Sequence, residues 1–259
     1  MTTSLEVLFT PADFAALEGR DLSETVCVVF DVLRATSSIV TALANGASAI
    51  FPVAEISEAL ALRRQEPGML LAGERDGVRI LNHLTGSIPF DLGNSPREFT
   101  RAKIAGRPIA MTTTNGTRAL RACIRAWATF IGSFLNLRAT AELLRQESPA
   151  HLVLVCSGTF DQAAYEDVLC AGALCEQIWA IYGAGEVSDS THMARRLFLE
   201  EEKDLAGAVA SSSRNARRLL ANLELSDDVV FCLQRDAFGL VAEMSVDGTI
   251  KARSPLLHS

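Results

Sequence analysis

The chain has 259 residues, a formal net charge of −7 and a composition that is 49% hydrophobic, which suits one large α/β domain or two small ones. The acidic balance argues against a nucleic-acid partner, although local arginines or a metal can still reverse the field around a small anionic substrate. Apolar runs are far too short for a membrane span, no signal peptide is apparent at the first residues, and the six cysteines form no CxxC pair, so the expectation is a cytoplasmic protein with reduced core thiols, no structural zinc and no membrane partner.

In chain order, residues 5–9 read as a first strand, and Pro11 opens a helix to about Leu17. Thr25–Phe30 (Thr-Val-Cys-Val-Val-Phe) is apolar throughout and rich in β-branched residues, the pattern of a strand buried on both faces. Helical spacing follows from Ser37 or Ser38 and stops at Asn45-Gly46, a C-terminal signal. Residues 49–53 read as a strand, 55–64 as a helix, and 69–72 as a short strand ending in Gly73-Glu74-Arg75. Residues 78–97 carry no clear period and read as a loop, with Ser95 placed to cap a turn that begins at Pro96. A strand ending at Met111, a helix to about Arg125 and a strand over 129–132 come next, then a helix over 137–146. His151–Cys156 is a further apolar strand, and 163–182 a long helix that begins with Glu166 and Asp167. In the last third, 189–198 and 205–223 have helical spacing, 229–233 and 240–244 read as short strands, and 251–259 as a poorly ordered tail. Apolar strands alternate with helices almost from end to end. This predicts a single α/β domain over residues 1–250, three layers deep, with helices on both faces of a mainly parallel or mixed sheet.

The stretch Pro-Ile-Ala-Met-Thr-Thr-Thr-Asn-Gly-Thr-Arg (108–118) is the most informative. A strand end, a polar loop and a helix start form a site for an anion, with backbone N–H groups and hydroxyls as donors. The same residues serve equally well as a helix cap in a tight turn, and this stretch alone leaves the two readings level. Four other polar stretches matter: Asp31-x-x-Arg34-Ala-Thr36, Gly73-Glu74-Arg75, Asp91-x-Gly93-Asn94-Ser95-Pro96, and Cys156-x-Gly158 with Glu166-Asp167; of the five, four follow a strand or begin the helix after one. Parallel strands would bring such ends to one edge of the sheet. That edge would combine carboxylates suited to Mg²⁺, which takes oxygen ligands and shares them with substrate phosphate, with arginines suited to phosphate, sulfonate or carboxylate. Together they suit phosphoryl transfer. Each residue also has a plainer reading. Asp31 serves as a helix cap, Arg34 as its ion-pair partner, and Glu166 and Asp167 as residues favoured by the helix dipole. Cys156 reads as a core thiol, His83 as a solvated loop residue, and Arg214, Arg217 and Arg218 as a solvated helix face.

Taken together, these pieces resemble the 2-phosphosulfolactate phosphatase family, Mg²⁺-dependent phosphatases associated with coenzyme M biosynthesis. The matching segments are Asp-Val-Leu-Arg-Ala-Thr (31–36), Ala-Leu-Ala-Asn-Gly-Ala (42–47), Gly-Glu-Arg (73–75), Phe-Asp-Leu-Gly-Asn-Ser-Pro (90–96), Thr-Thr-Thr-Asn-Gly-Thr-Arg-Ala-Leu (112–120), Gly-Ser-Phe-Leu-Asn (132–136) and Glu-Asp-x-x-Cys-Ala-Gly (166–172). The resemblance implies hydrolysis of 2-phosphosulfolactate to sulfolactate and phosphate. It implies Mg²⁺ ligands or a catalytic base among Asp31, Glu74, Glu166 and Asp167, and anion contacts from Arg34 and Arg75. It also implies a cradle of Thr113, Thr114, Asn115, Gly116 and Thr117, completed by Asn94 and Ser95. Direct attack by water and a phosphoryl-Asp31 intermediate both stay open. Two positions depart from the pattern, Pro89 and Ala216, each where Gly is expected, and the loop over 78–88 is longer than usual. Another small phosphorylated hydroxy acid therefore stands as an alternative substrate, and a non-catalytic anion-binding protein as an alternative function. A homodimer is an option that no residue marks.

Overall fold

A computed structural model of the chain describes residues 3–253. Its strands are β1 (Ser4–Leu8), β2 (Thr25–Phe30), β3 (Ala49–Pro52), β4 (Leu70–Arg75), β5 (Val78–Arg79), β6 (Pro108–Thr112), β7 (Ala128–Gly132), β8 (His151–Cys156), β9 (Glu186–Val187), β10 (Ala242–Met244) and β11 (Ile250–Ala252). They form one mixed sheet in the order β5-β4-β6-β3-β11-β10-β7-β2-β8-β1-β9.

Strand β2 shows how the layers arise. All six of its residues are buried, and successive side chains alternate faces. Val26, Val28 and Phe30 enter one core with the helices Leu137–Glu147 and Tyr165–Tyr182. Cys27 and Val29 enter the other, with the helices Ala35–Ala44 and Gly116–Ala122. The expected three-layer α/β arrangement is thus present. Helix Ala35–Ala44 buries every residue from Ala35 to Leu43, as a helix hydrophobic on all sides must. It packs across β7, β10, β11 and β3.

The sheet has two parallel blocks of opposite sense. In one, β9, β1, β8, β2 and β7 run together; in the other, β4, β6 and β3 do. The antiparallel pair β10–β11 joins them. Neighbouring strands rotate by roughly 20–25° each, so the six steps from β2 to β4 accumulate about 120–150°. A twist of that sense turns the blocks toward one another, and the ends of β2, β4 and β6 meet beside the start of helix Ala35–Ala44, where Asp31, Glu74 and Thr113 line one cavity.

Several elements differ from the sequence reading. Of the strand read over 229–233, residues 229–232 belong to the helix Ser226–Cys232 and Leu233 caps it, because Asp228, Val229 and Cys232 are buried at helical rather than alternating spacing. Residues 205–223 break into the helices Leu205–Ser212 and Arg214–Leu220, because Ser213 caps the second through Ala216 N–H at 2.9 Å. Strand β4 continues through Glu74 to Arg75. The stretch read as a loop holds β5 and a short helix, Asn82–Thr85. Of the expected tail, Lys251 and Ala252 lie in β11, and residues 254–259 lie outside the described residues. No helix among the described residues is long and apolar enough to cross a membrane.

Candidate active site

A cavity of about 70 Å³ opens where the two blocks meet, lined by Asp31, Arg34, Glu74, Asn94 and residues 113–115, and closed on its far side by Thr159, Phe160, Asn215 and Arg218. Asp31 follows β2 directly. Its Oδ1 accepts from Ala35 N–H at 3.2 Å, and its own N–H donates to Thr36 Oγ1 at 3.1 Å. Burial, reinforced by the nearby carboxylates of Glu166 and Glu74, raises its carboxyl to about 6, against the pull of the Ala35 N–H. Gly116 packs against it: a Cβ there would lie 2.7 Å from Asp31 Oδ2 and 2.8 Å from Ala35 Cβ. Only glycine lets the loop after β6 approach this closely.

Glu74, on β4, accepts from Gly77 N–H at 2.6 Å and from both the N–H and the hydroxyl of Thr114 at 2.9 Å. Thr114 therefore gives its donors to a carboxylate. Thr117 donates to Thr113 O at 3.0 Å, inside its own helix turn. Thr113 Oγ1 and Asn94 Oδ1 are buried without a hydrogen-bond partner among the described residues.

Glu166 and Asp167 sit behind the cavity rather than on its wall. Glu166 accepts from Ser213 Oγ and Asn215 Nδ2, both at 2.6 Å, and so holds Asn215 at the wall. Asp167 accepts from Val32 N–H at 2.8 Å, Ser157 Oγ at 3.2 Å and Gly158 N–H at 3.3 Å, joining the ends of β2 and β8. Burial and the charges of Glu166 and Asp31 push its carboxyl well up.

The arginines separate. Arg75 turns away from the cavity, toward Thr112 Oγ1 at 3.1 Å and its neighbour's carbonyl at 2.8 Å. Arg34 lines the cavity but is fixed: its Nη1 donates to Asp228 at 2.7 Å and its Nη2 to Gly77 O at 2.8 Å. The Leu33–Arg34 peptide bond is cis. Ser95 does not cap the turn at Pro96, because its hydroxyl donates to Asp228 at 2.6 Å, where Arg97 Nε also arrives at 2.9 Å. Asp228, which stands just before the segment read as a strand and carries no motif, organises three residues of the site. Arg218 was also missed. Its helix has exposed arginines on one side, but Arg218 reaches the cavity wall, with exposed Asp76 as its carboxylate neighbour at 3.9 Å. Its one sequence signal is its closeness to Ala216, a position set against the family pattern. The six cysteines are buried and free, as expected, and burial raises the Cys156 thiol well above its ordinary range.

Every polar group facing the cavity offers oxygen or nitrogen, with no sulfur. Asp31 and Glu74 are the buried carboxylates on its wall. Among the described residues, no three His, Cys, Asp or Glu side chains converge into a closed cluster. Two carboxylates with room for further oxygens fit a hard cation that keeps part of its shell for water and phosphate.

The sequence profile of the family described as 2-phosphosulpholactate phosphatase matches residues 14–246. A protein from Pseudothermotoga lettingae named probable 2-phosphosulfolactate phosphatase is 38% identical over 247 residues, covering 95% of this chain and 98% of its own. Proteins of the same name from Symbiobacterium thermophilum and Thermotoga maritima are 41% and 40% identical, each over 83% of this chain and over 89% and 86% of their own.

Proposed function

The chain belongs to the 2-phosphosulfolactate phosphatase family, and from that premise we propose that it is a Mg²⁺-dependent phosphoric monoester hydrolase acting on 2-phosphosulfolactate. Water cleaves the phosphate ester, releasing inorganic phosphate and sulfolactate. The observation that carries this reading is the meeting of Asp31 and Glu74 with Arg34, Arg218 and the Thr113–Asn115 loop in one cavity.

Asp31 and Glu74 are the residues that would hold Mg²⁺. Bound there, the ion would supply positive charge to offset the two carboxylates and to polarise a phosphoryl oxygen. The chain's own residues do the rest. Arg34 presents a guanidinium already held by Asp228 and Gly77, so little ordering entropy is lost when an anion arrives. Arg218 pairs only loosely with exposed Asp76, at 3.9 Å, and can turn to a phosphoryl oxygen. Asn215, steered by Glu166, and Asn94 add polar contacts at the rim. Arg75 and Asp167, both engaged away from the cavity, act on the framework.

The test is phosphate release from 2-phosphosulfolactate, 2-phospholactate and other small phosphorylated hydroxy acids, with Mg²⁺ and with chelator. Mg²⁺-dependent release confined to the sulfonated ester is expected. Equal release from a sulfonate-free ester would keep the hydrolase and change its substrate. Tight anion binding with no release from any ester would make the chain a binding protein.

A further inference from the structure

Beside the first cavity lies a second, of about 510 Å³, which shares Arg34, Gly77 and Asn94 with it. The proposed substrate carries three anionic groups, phosphate, carboxylate and sulfonate, on a three-carbon frame, and a 70 Å³ space around Asp31 suits only its phosphoryl group. Its other charges need their own contacts nearby, and the second cavity has the chemistry for them. Four cationic side chains line it, Arg34, Arg79, Arg97 and Lys103, against Glu98 and Glu224. One of those carboxylates is engaged, since Glu98 Oε2 accepts from Gly93 N–H at 3.0 Å. Arg97 is also engaged, through Asp228, Asp227 and Glu224 O. Arg79 and Lys103 are different. Arg79 reaches only the Asp91 carbonyl, at 3.4 Å, and among the described residues neither has a carboxylate within ion-pair distance. Asn94, 6% exposed, faces both cavities with its amide oxygen unpartnered. A primary amide offers donors as well as an acceptor, and rotation about its last bond exchanges them.

We propose that this second cavity is the subsite for the acid end of the substrate, a sulfonate or carboxylate held by Arg79 and Lys103, with Arg34 and Asn94 at the junction. The proposal rests on the phosphatase reading and extends it. Val78, Arg79 and Leu81, from the stretch that departs from the family pattern in length, form part of its wall, so substrate selection is set there while the chemistry stays at Asp31.

The test is calorimetric titration of the Mg²⁺-loaded wild type and of the Arg79→Gln/Lys103→Gln variant with two probes, sulfolactate and inorganic phosphate. Wild type should bind both. The variant should bind sulfolactate at least about 10-fold more weakly, and inorganic phosphate within twofold of wild type, which also shows that it is folded. Each lost charge-assisted contact of about 1.4 kcal/mol corresponds to that tenfold change. Unchanged sulfolactate affinity in the variant would overturn the proposal. So would parallel loss of both ligands, or a wild type that binds phosphate and not sulfolactate. Phosphate release by the same wild-type preparation is read separately. Its absence would sink the phosphatase reading, whereas intact release with unchanged sulfolactate binding would sink only the subsite.

Discussion

Arg34 and Asp228 are 194 positions apart, yet their side chains meet at 2.7 Å with 3% and 0% of their surfaces exposed. A buried pair of this kind contributes little net stability, since desolvation offsets the attraction, but breaking it leaves an uncompensated charge. Asp228 also takes the Ser95 hydroxyl and Arg97 Nε. It ties helix Ser226–Cys232 to the start of helix Ala35–Ala44 and to the turn at Pro96.

Asp228→Ala should therefore lower unfolding stability by about 3–5 kcal/mol and release Arg34 from its fixed position. Denaturant midpoints measure the first effect and KM for the phosphate ester the second. The double variant Arg34→Met/Asp228→Leu should be more stable than Asp228→Ala alone. A double variant that is no more stable would show that the buried charge is not the cause.

The carboxyl of Asp31 titrates near 6 in the folded chain, against 3.8 for the ordinary side chain. Between those values the folded state holds the extra proton, so stability falls as pH rises through the window and stays lower above it. The loss from this group is about 3 kcal/mol at most. In chelator, urea midpoints of wild type should fall between pH 4 and 6.5 more steeply than those of Asp31→Asn. Mg²⁺ should raise the wild-type midpoint more at pH 7.5 than at pH 4.5, because only the ionised carboxylate attracts it. Parallel curves for the two proteins would mean that Asp31 is already ionised at pH 4.

The charge neighbour of Arg218 is exposed Asp76 at 3.9 Å, a pair worth little to stability, so removal of the arginine should act on the reaction more than on the fold. Arg218→Gln should lower kcat/KM about 100-fold, the scale of one lost oxyanion donor, with little change in melting temperature. Arg218→Lys should recover part of the loss. Full activity in Arg218→Gln would return this residue to the solvated face on which its sequence pattern places it.

Gly116 is a steric test of the site's closeness. In Gly116→Ala the new methyl would meet Asp31 Oδ2 and Ala35 Cβ. Overpacking of this kind costs about 1–3 kcal/mol, and the displacement of Asp31 should lower turnover as well. A variant with wild-type melting temperature and wild-type kcat would show that the loop can retreat without consequence.

The sequence by itself determined the layers. Short unbroken apolar runs rich in β-branched residues, such as Thr25–Phe30 and residues 152–156, mark strands covered on both faces, and the helical spacing between them supplies the cover. It also marked Asp31, Glu74 and the Thr113–Asn115 loop, because polar residues at strand ends are conspicuous against an apolar background, while Asn94, in a segment read as a loop, came with the order of seven motifs that carried the family. Tertiary structure alone decided what each charge faces. Glu166 and Asp167 are adjacent on one helix and look alike in sequence, yet one steers Asn215 and the other joins two strand ends. Arg75 and Arg218 exchanged roles for the same reason. A charged side chain has the same local signature whether it meets water, a substrate or a buried partner, and only the twist of the sheet, which swings β4 and β6 round to the end of β2, decides which of these it meets.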